Sequence, residues 1–492
     1  MKVLNIVKNV LDEFHKNNIN YCHFKSNNEI EKDLNGSSDL DIIIDVVQNK
    51  EVENILIKLN FFKAILVSSK KIDLVRDYFY LDTESKTIFH LHAHFRISFD
   101  NSFYFPFEKE ILNQRVFNKE YNIYVSSIEY DFLLRLIKIS IKLKGEQYLD
   151  KEKIYFVNKL LKNINKDKLK EIINKSFNKD TVAIIENIIS SGLNKNYSEL
   201  FKLKVALNKQ FNTNTNLRLR IYSVFKKSIN ISLSLNRKFG IIKTLRNHRT
   251  FQDEGLIIAI MGSDGSGKST QVKNIKNILS KKIDVRYVYM GSGNGTASWH
   301  RNILIWLQKI FFKKKKNNDF IKEPQVSTDI KKVDFTKKDI LKIIYALSLA
   351  IEKRTKLKLI QKYKNKGMIV VTDRYPQTSI YGYNDGPLIA DYLTSNNKLL
   401  SFLSQIEFNS YEYAKFVYPD IVIKLLGNPE IIHSRRADEM SLEQIIKKQN
   451  GIKSIDFTDK TKVVDIDATL SIDEVTIQIM AQISNSIGSK NE

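Results

Sequence analysis

The spacing of hydrophobic residues changes along this chain, and each spacing predicts a different kind of element. Over residues 1–18, Val3, Ile6, Val7, Val10, Leu11 and Phe14 recur at helical intervals between charged residues, which predicts an amphipathic helix. Residues 21–24 predict a short strand and 25–27 a loop. Gly36, Ser37 and Ser38 then lead into Asp39-Leu40-Asp41-Ile42-Ile43-Ile44, where polar and apolar residues alternate as in a strand. From 125 to 250 the pattern returns to helical spacing, clearest at 130–139. Beyond 255 it becomes short, largely apolar runs, 256–261, 285–290, 368–372, 421–425 and 462–466, with helices expected between them at 268–280 and 338–363 and after the last. Strands alternating with helices predict an α/β fold with a parallel sheet flanked by helices. The expected division is 1–124 as an α+β domain, 125–250 as a basic helical connector and 251–492 as the α/β domain.

The run 256–261, Leu-Ile-Ile-Ala-Ile-Met, ends in Gly262-Ser263-Asp264-Gly265-Ser266-Gly267-Lys268-Ser269-Thr270. This is a phosphate loop placed between a strand and a helix, where its mechanism requires it. The glycines let the backbone wrap closely around phosphate oxygens and turn N–H groups inward. The next helix points its positive end at the same oxygens. Lys268 is expected on the β- and γ-phosphates of ATP, and the Ser269 hydroxyl on Mg²⁺. At the end of the strand 368–372 stand Asp373 and Arg374. A carboxylate there, beside a phosphate loop, suits a Mg²⁺-water ligand, and the arginine can clamp a phosphate.

Composition adds less. At 492 residues the chain is too long for one core. A net charge of +24 suits an anionic partner, a polymer or membrane surface, but also a lysine-rich chain with solvated faces. The same choice applies to the basic stretch 216–249, with Arg218, Arg220, Lys226, Lys227, Arg237, Lys238, Lys243, Arg246 and Arg249. Cys22 is the single cysteine, which excludes an intramolecular disulfide and argues against cysteine-based zinc. No apolar run approaches the roughly 20 residues of a membrane span, and the first residues read as a helix and not a signal peptide. A cytoplasmic location is expected. Residues 291–335, with Gly291, Gly293, Gly295 and a lysine run at 313–316, are expected to form a mobile lid or substrate loop. A membrane-touching helix is the alternative.

Asp39 and Asp41 share one strand face. That spacing serves a Mg²⁺ site or a polar turn that begins a strand equally well. A strand, a small-residue loop and Asp-x-Asp entering an apolar strand resemble the nucleotidyltransferase superfamily. The resemblance implies that Asp39 and Asp41 hold a metal on a nucleoside triphosphate. It is imperfect, because the family's glycine loop reads Lys25-Ser26-Asn27 here. The strand expected to bring a third carboxylate, 87–98, carries His90, His92 and His94 on one face instead. Such a row suits a transition metal, a structural role or phosphate binding.

The second half resembles the thymidylate kinase family of nucleoside monophosphate kinases. The matching residues are the phosphate loop Asp264 to Thr270, the Asp373-Arg374-Tyr375 triplet with Ser379, Pro419-Asp420, Pro429-Glu430 with Arg435, and Ile466-Asp467-Ala468. The resemblance implies that Asp264, Arg354, Arg374, Tyr375 and Ser379 meet the acceptor, and that Arg435 and Arg436 close over the γ-phosphate. It also implies ATP and Mg²⁺ as cofactors, and relatives that are often dimers. The base-reading segments of that family are not evident. The expectation is therefore a phosphotransferase acting on a nucleoside monophosphate such as dTMP or on another phosphorylated small molecule. Two alternatives stand beside it. One is a bifunctional nucleotidyltransferase and kinase in a sugar or polysaccharide pathway. The other is a non-catalytic, nucleotide-gated scaffold for a polyanion.

Overall fold

The structure is a computed structural model that describes residues 3–25, 27–65, 75–99, 103–143, 151–193, 197–211, 228–229, 231–236, 245–246, 248–291, 337–435 and 440–488. The lid expected at 291–335 lies outside these residues except for Gly291, as do most of the basic stretch 216–249, Ser26 and Arg436. The chain divides into two compact units, residues 1–82 with 88–241, and residues 83–87 with 242–490.

In the first unit the elements run α1 (Asn5–Lys16), β1 (Tyr21–His23), α2 (Ile30–Leu34), β2 (Leu40–Ile44), α3 (Asn49–Lys58), β3 (Phe62–Lys63), β4 (Val75–Asp82), β5 (Thr87–His94), β6 (Ile97–Phe99), β7 (Phe103–Phe105), α4 (Glu108–Asn113), β8 (Val116–Asn118) and β9 (Ile123–Val125). Five helices follow, α5 (Ile128–Lys142), α6 (Lys151–Asn163), α7 (Lys166–Ser176), α8 (Lys179–Ser191) and α9 (Tyr197–Phe211). The main sheet has the order β3-β4-β5-β2-β1-β9-β8. Strand β2 runs parallel to β5 and antiparallel to β1.

Strand alternation sends side chains to two cores. Ile42 and Ile44 of β2 join Phe89, Leu91 and Ala93 of β5 and the buried stripe of α1. Ile43 points the other way and packs with Cys22, Phe24 and the apolar faces of α5 to α9. Helices after residue 125 thus cover the second face of this sheet. Asn165 caps α7 by accepting from the N–H groups of Asp167 and Lys168, and Asn178 caps α8 from Thr181.

The second unit runs β10 (Ile257–Gly262), α10 (Lys268–Leu279), β11 (Val285–Tyr289), α11 (Lys337–Lys364), β12 (Ile369–Asp373), α12 (Lys398–Glu412), β13 (Ile421–Leu426), α13 (Pro429–Ser434), α14 (Leu442–Lys453), β14 (Lys462–Asp467) and α15 (Ile472–Gly488). The sheet order is β11-β12-β10-β13-β14, with every neighbouring pair parallel. This is the expected α/β fold, a parallel sheet with helices around it. All six residues of β10 are buried, which explains its unbroken apolar run. Asp420, at the start of β13, accepts from the Ile257 N–H at 2.7 Å and from Lys364 at 3.0 Å. The Pro419-Asp420 pair therefore ties β10 and α11 to β13 at the end of the sheet opposite the phosphate loop. Among the described residues, no helix is long and apolar enough to cross a membrane.

Candidate functional site

Strand β10 lies between β12 and β13, so the strand order switches sides at its carboxyl end, where α/β sheets bind ligands. The phosphate loop starts there. A Cβ on Gly262 would fall 2.4 Å from Ser266 Oγ and 2.9 Å from the Leu425 carbonyl, so only glycine fits. Gly265 and Gly267 both adopt φ of +84°, the left-handed region that glycine enters without strain. Gly267 caps α10, and Lys268 opens it.

Lys268 is 6% exposed, and its ammonium donates to the Ser263 carbonyl at 2.7 Å. Burial first, then the Arg374 guanidinium, pushes its pKa down to about 8. Ser269 Oγ donates to Asp373 Oδ2 at 2.8 Å, joining the start of α10 to the end of β12. Ser263 Oγ, Ser266 Oγ and Asp373 Oδ1 are buried without a hydrogen-bond partner. Unsatisfied buried polar atoms cost about 1–3 kcal/mol each. Three of them around one loop fit a polar ligand, and a serine hydroxyl beside a carboxylate oxygen is a donor set that suits Mg²⁺. Thr270 is exposed on the first turn of α10.

Around this loop runs a network of charges. Arg374 donates to Asp264 Oδ1 at 2.6 Å and lies 3.6 Å from Asp385 Oδ2. It does so from a backbone φ of +72°, costly for a side chain with a Cβ. Lys448 of α14 donates to Asp264 Oδ2 at 2.8 Å, and Lys353 of α11 donates to Asp385 Oδ1 at 3.1 Å. Burial works against the Asp264 carboxylate, yet Arg374, Lys268 and Lys448 together hold its carboxyl well below the usual range. For Asp385 burial is likewise outweighed by Lys353 and Arg374. The loop carrying Asp385 is fixed from within. Gln377 donates to the Ile380 and Asn384 carbonyls, and the buried Glu407 carboxylate accepts from the N–H groups of Leu388 and Ile389.

The residues expected from the sequence divide on the structure. Lys268, Ser269, Asp264, Asp373 and Arg374 come together. Arg354 does not join them. It is exposed on α11, with its guanidinium 5.2 Å from the Tyr413 ring, and the preceding residue, Lys353, enters the network instead. Tyr375 is fully buried and donates its hydroxyl to the Val417 carbonyl. Ser379 is exposed in the loop after β12. Arg435 donates to the Ala468 carbonyl at 2.7 Å, tied to the loop after β14. Sequence reasoning missed Lys353, Asp385 and Lys448. The one available signal was the apolar flank of Lys353 on α11.

The first unit holds a second polar cluster. Parallel pairing sets Asp41 opposite His92, so Asp39 and Asp41 of the β2 segment share a face with His90, His92 and His94 of β5. His92 Nδ1 lies 3.2 Å and His94 Nε2 2.7 Å from Asp41 Oδ1. His90 Nδ1 is 3.0 Å from Asp39 Oδ1. Asp77 of β4, not foreseen, sits behind the row. Its Oδ1 is 2.9 Å from His90 Nε2 and 2.6 Å from His92 Nε2. Lys25, at a backbone φ of +81°, puts its ammonium 3.1 Å from both Asp41 Oδ1 and His94 Nε2. Burial lowers His92, but hydrogen bonds to Asp41 and Asp77 outweigh it and raise the ring to about 9. Burial, then Lys25, lowers His94 to about 4.

No protein-family model matches the chain. It is 28% identical over 235 residues to the uncharacterised ATP-binding protein YghR of Escherichia coli K12, covering 46% of this chain and 86% of that protein. It is 24% identical over 220 residues to the uncharacterised ATP-binding protein YghS of the same strain, covering 44% and 88%. Among solved structures it is similar to thymidylate kinase from Candida albicans, at 20% identity and a TM-score of 0.29, covering 48% of this chain and 94% of that one. The second unit is a parallel α/β sheet flanked by helices, with a phosphate loop at its switch point.

Proposed function

We propose that the second unit is an ATP-dependent phosphotransferase of the thymidylate kinase type, with a nucleoside monophosphate or another phosphorylated small molecule as acceptor. The observation that carries this reading is the junction of Lys268, Ser269 and Asp373, ringed by buried oxygens that lack partners. The name shared by the two Escherichia coli relatives supports ATP as the nucleotide.

In the proposed reaction an oxygen of the acceptor phosphate bonds to the γ-phosphorus as the bond to the β–γ bridging oxygen breaks, leaving ADP. Such transfer asks the protein for positioning and charge neutralisation. The loop amides and Lys268 hold the β- and γ-phosphates, Lys268 exchanging the Ser263 carbonyl for phosphate oxygens. Ser269 and Asp373 are the residues that would hold Mg²⁺, which neutralises charge on the phosphates. Arg374 is braced by Asp264 on one side and Asp385 on the other. It therefore meets an acceptor phosphate without having to order a free side chain.

The test is transfer of labelled γ-phosphate from Mg-ATP to a panel of acceptors, dTMP, dUMP, other nucleoside monophosphates and sugar phosphates, with Lys268→Ala as control. The expected result is one labelled acceptor class and a loss of about 10³-fold in the variant. No labelled acceptor, or a Lys268→Ala chain as active as wild type, overturns the reading.

A further inference from the structure

The nucleotidyltransferase resemblance implies a hard cation on Asp39, Asp41 and a third carboxylate from a neighbouring strand. The residues around them do not fit that demand, because imidazole nitrogens stand against both Asp39 and Asp41. Mg²⁺ prefers an all-oxygen shell. Imidazole mixed with carboxylate suits zinc, iron, cobalt or nickel.

We propose that Asp41, His92 and His94 of the first unit form a binding centre for a divalent first-row transition metal, with Asp77 orienting His92. The donor atoms of this triad all lie within 4.8 Å of one another. Around a four-coordinate ion with bonds of about 2.0–2.1 Å, ligand atoms sit roughly 3.3 Å apart. The two measured separations from Asp41 Oδ1, 3.2 and 2.7 Å, need only small adjustment to reach that spacing.

The surroundings supply what a metal-bound histidine needs. His92 Nε2 faces the Asp77 carboxylate at 2.6 Å, leaving Nδ1 toward Asp41. A carboxylate behind the imidazole fixes its tautomer and strengthens it as a ligand. His94 is 5% exposed, stands edge-on to Phe24, and offers Nε2 to the same point. All three ligands sit on paired strands, so the metal would not have to order a loop. Asp41 and His92 are partly open to solvent, which leaves room for a further oxygen ligand. Three protein ligands with an open position is the pattern of a reactive centre, and four closed ones of a structural centre. The Lys25 ammonium, 3.1 Å from both Asp41 Oδ1 and His94 Nε2, stands against two of these donor atoms and competes with the ion for them. A second triad, Asp39, His90 and His92, overlaps the first through His92. Asp77 behind both His90 and His92 lets the row act as one preorganised unit.

The test uses the full chain stripped with a chelator and titrated with Zn²⁺ and Co²⁺, with excess Mg²⁺ as competitor. The expected result is one Zn²⁺ or Co²⁺ per chain, not displaced by Mg²⁺, with a Co²⁺ absorption spectrum showing nitrogen ligation. His94→Gln is expected to lower affinity by more than about 100-fold, and Asp77→Asn by about 10- to 100-fold. His94 is buried, so its replacement risks misfolding. Lys25→Gly is the second variant, because a φ of +81° suits glycine and loss of the neighbouring ammonium raises Zn²⁺ affinity about tenfold. Displacement by Mg²⁺, unchanged affinity in a folded His94→Gln chain, or a Lys25→Gly chain that binds no tighter than wild type overturns the proposal.

Discussion

The two units each gather charged side chains against a buried sheet, but with opposite balance. In the second unit Lys268, Arg374, Lys448 and Lys353 surround Asp264 and Asp385, and the phosphate loop adds inward amides. In the first, Asp39, Asp41 and Asp77 interleave with three imidazoles and a single lysine. One cluster has cations to spare for phosphates. The other pairs carboxylates with imidazoles, the donor mix of the proposed metal centre. Net charge, +24 for the whole chain, does not distinguish them. What separates them is which residues the strand register and loop geometry bring within 3 to 4 Å.

That contrast can be broken at its most buried pair. Lys353 and Asp385 have side chains only 2% and 5% exposed. Removing one partner of a buried pair costs about 3–5 kcal/mol. Lys353→Met is therefore expected to lower the urea midpoint sharply, and Lys353→Met with Asp385→Leu to recover much of it. If the single variant unfolds no earlier than wild type, the network is not holding the loop that carries Asp385.

A smaller effect sharpens the anion side. Lys268 has a folded pKa of about 8 against 10.5 unfolded, so folding disfavours its proton. The unfolded chain binds more protons between these values, and stability rises with pH there. The penalty is full below about pH 8 and gone above about pH 10.5. Lys268→Met, which carries no such penalty, is expected to exceed wild type by on the order of 3 kcal/mol at pH 7 without nucleotide. The gap should close as pH rises to about 10.5. Denaturant titrations of both proteins across that range provide the check.

The smallest effect separates packing from recognition. Tyr375→Phe removes one buried hydrogen bond, to the Val417 carbonyl, and should cost about 1 kcal/mol in melting experiments. The acceptor KM should stay unchanged. A large rise in KM would return Tyr375 to the substrate.

The phosphate loop was legible because its parts are contiguous. Strand, glycines, lysine and serine follow each other, so spacing alone places them. Asp373 and Arg374 were legible because they end an apolar run. Lys353, Asp385 and Lys448 come from three distant elements, and a lysine in a lysine-rich chain carries no signal of its own. On α11 the shift from Arg354 to Lys353 is one residue, about 100° of helix turn, enough to exchange solvent for interior. The histidine row could be read from its alternation. Its meeting with Asp39 and Asp41 needed the parallel register of β2 and β5, and Asp77 needed β4 as their neighbour.

That register has a consequence for how the first unit reaches its fold. His90, His92 and His94 alternate on β5 with Phe89, Leu91 and Ala93, which belong to the core under α1. A slip of one residue would turn the strand over. Three imidazoles would then enter hydrocarbon without partners, and two carboxylates would face apolar side chains. Misaligned β5 is penalised on both faces of the sheet at once. The polar row thus works as a folding checkpoint, rejecting near-native pairings before any ligand arrives.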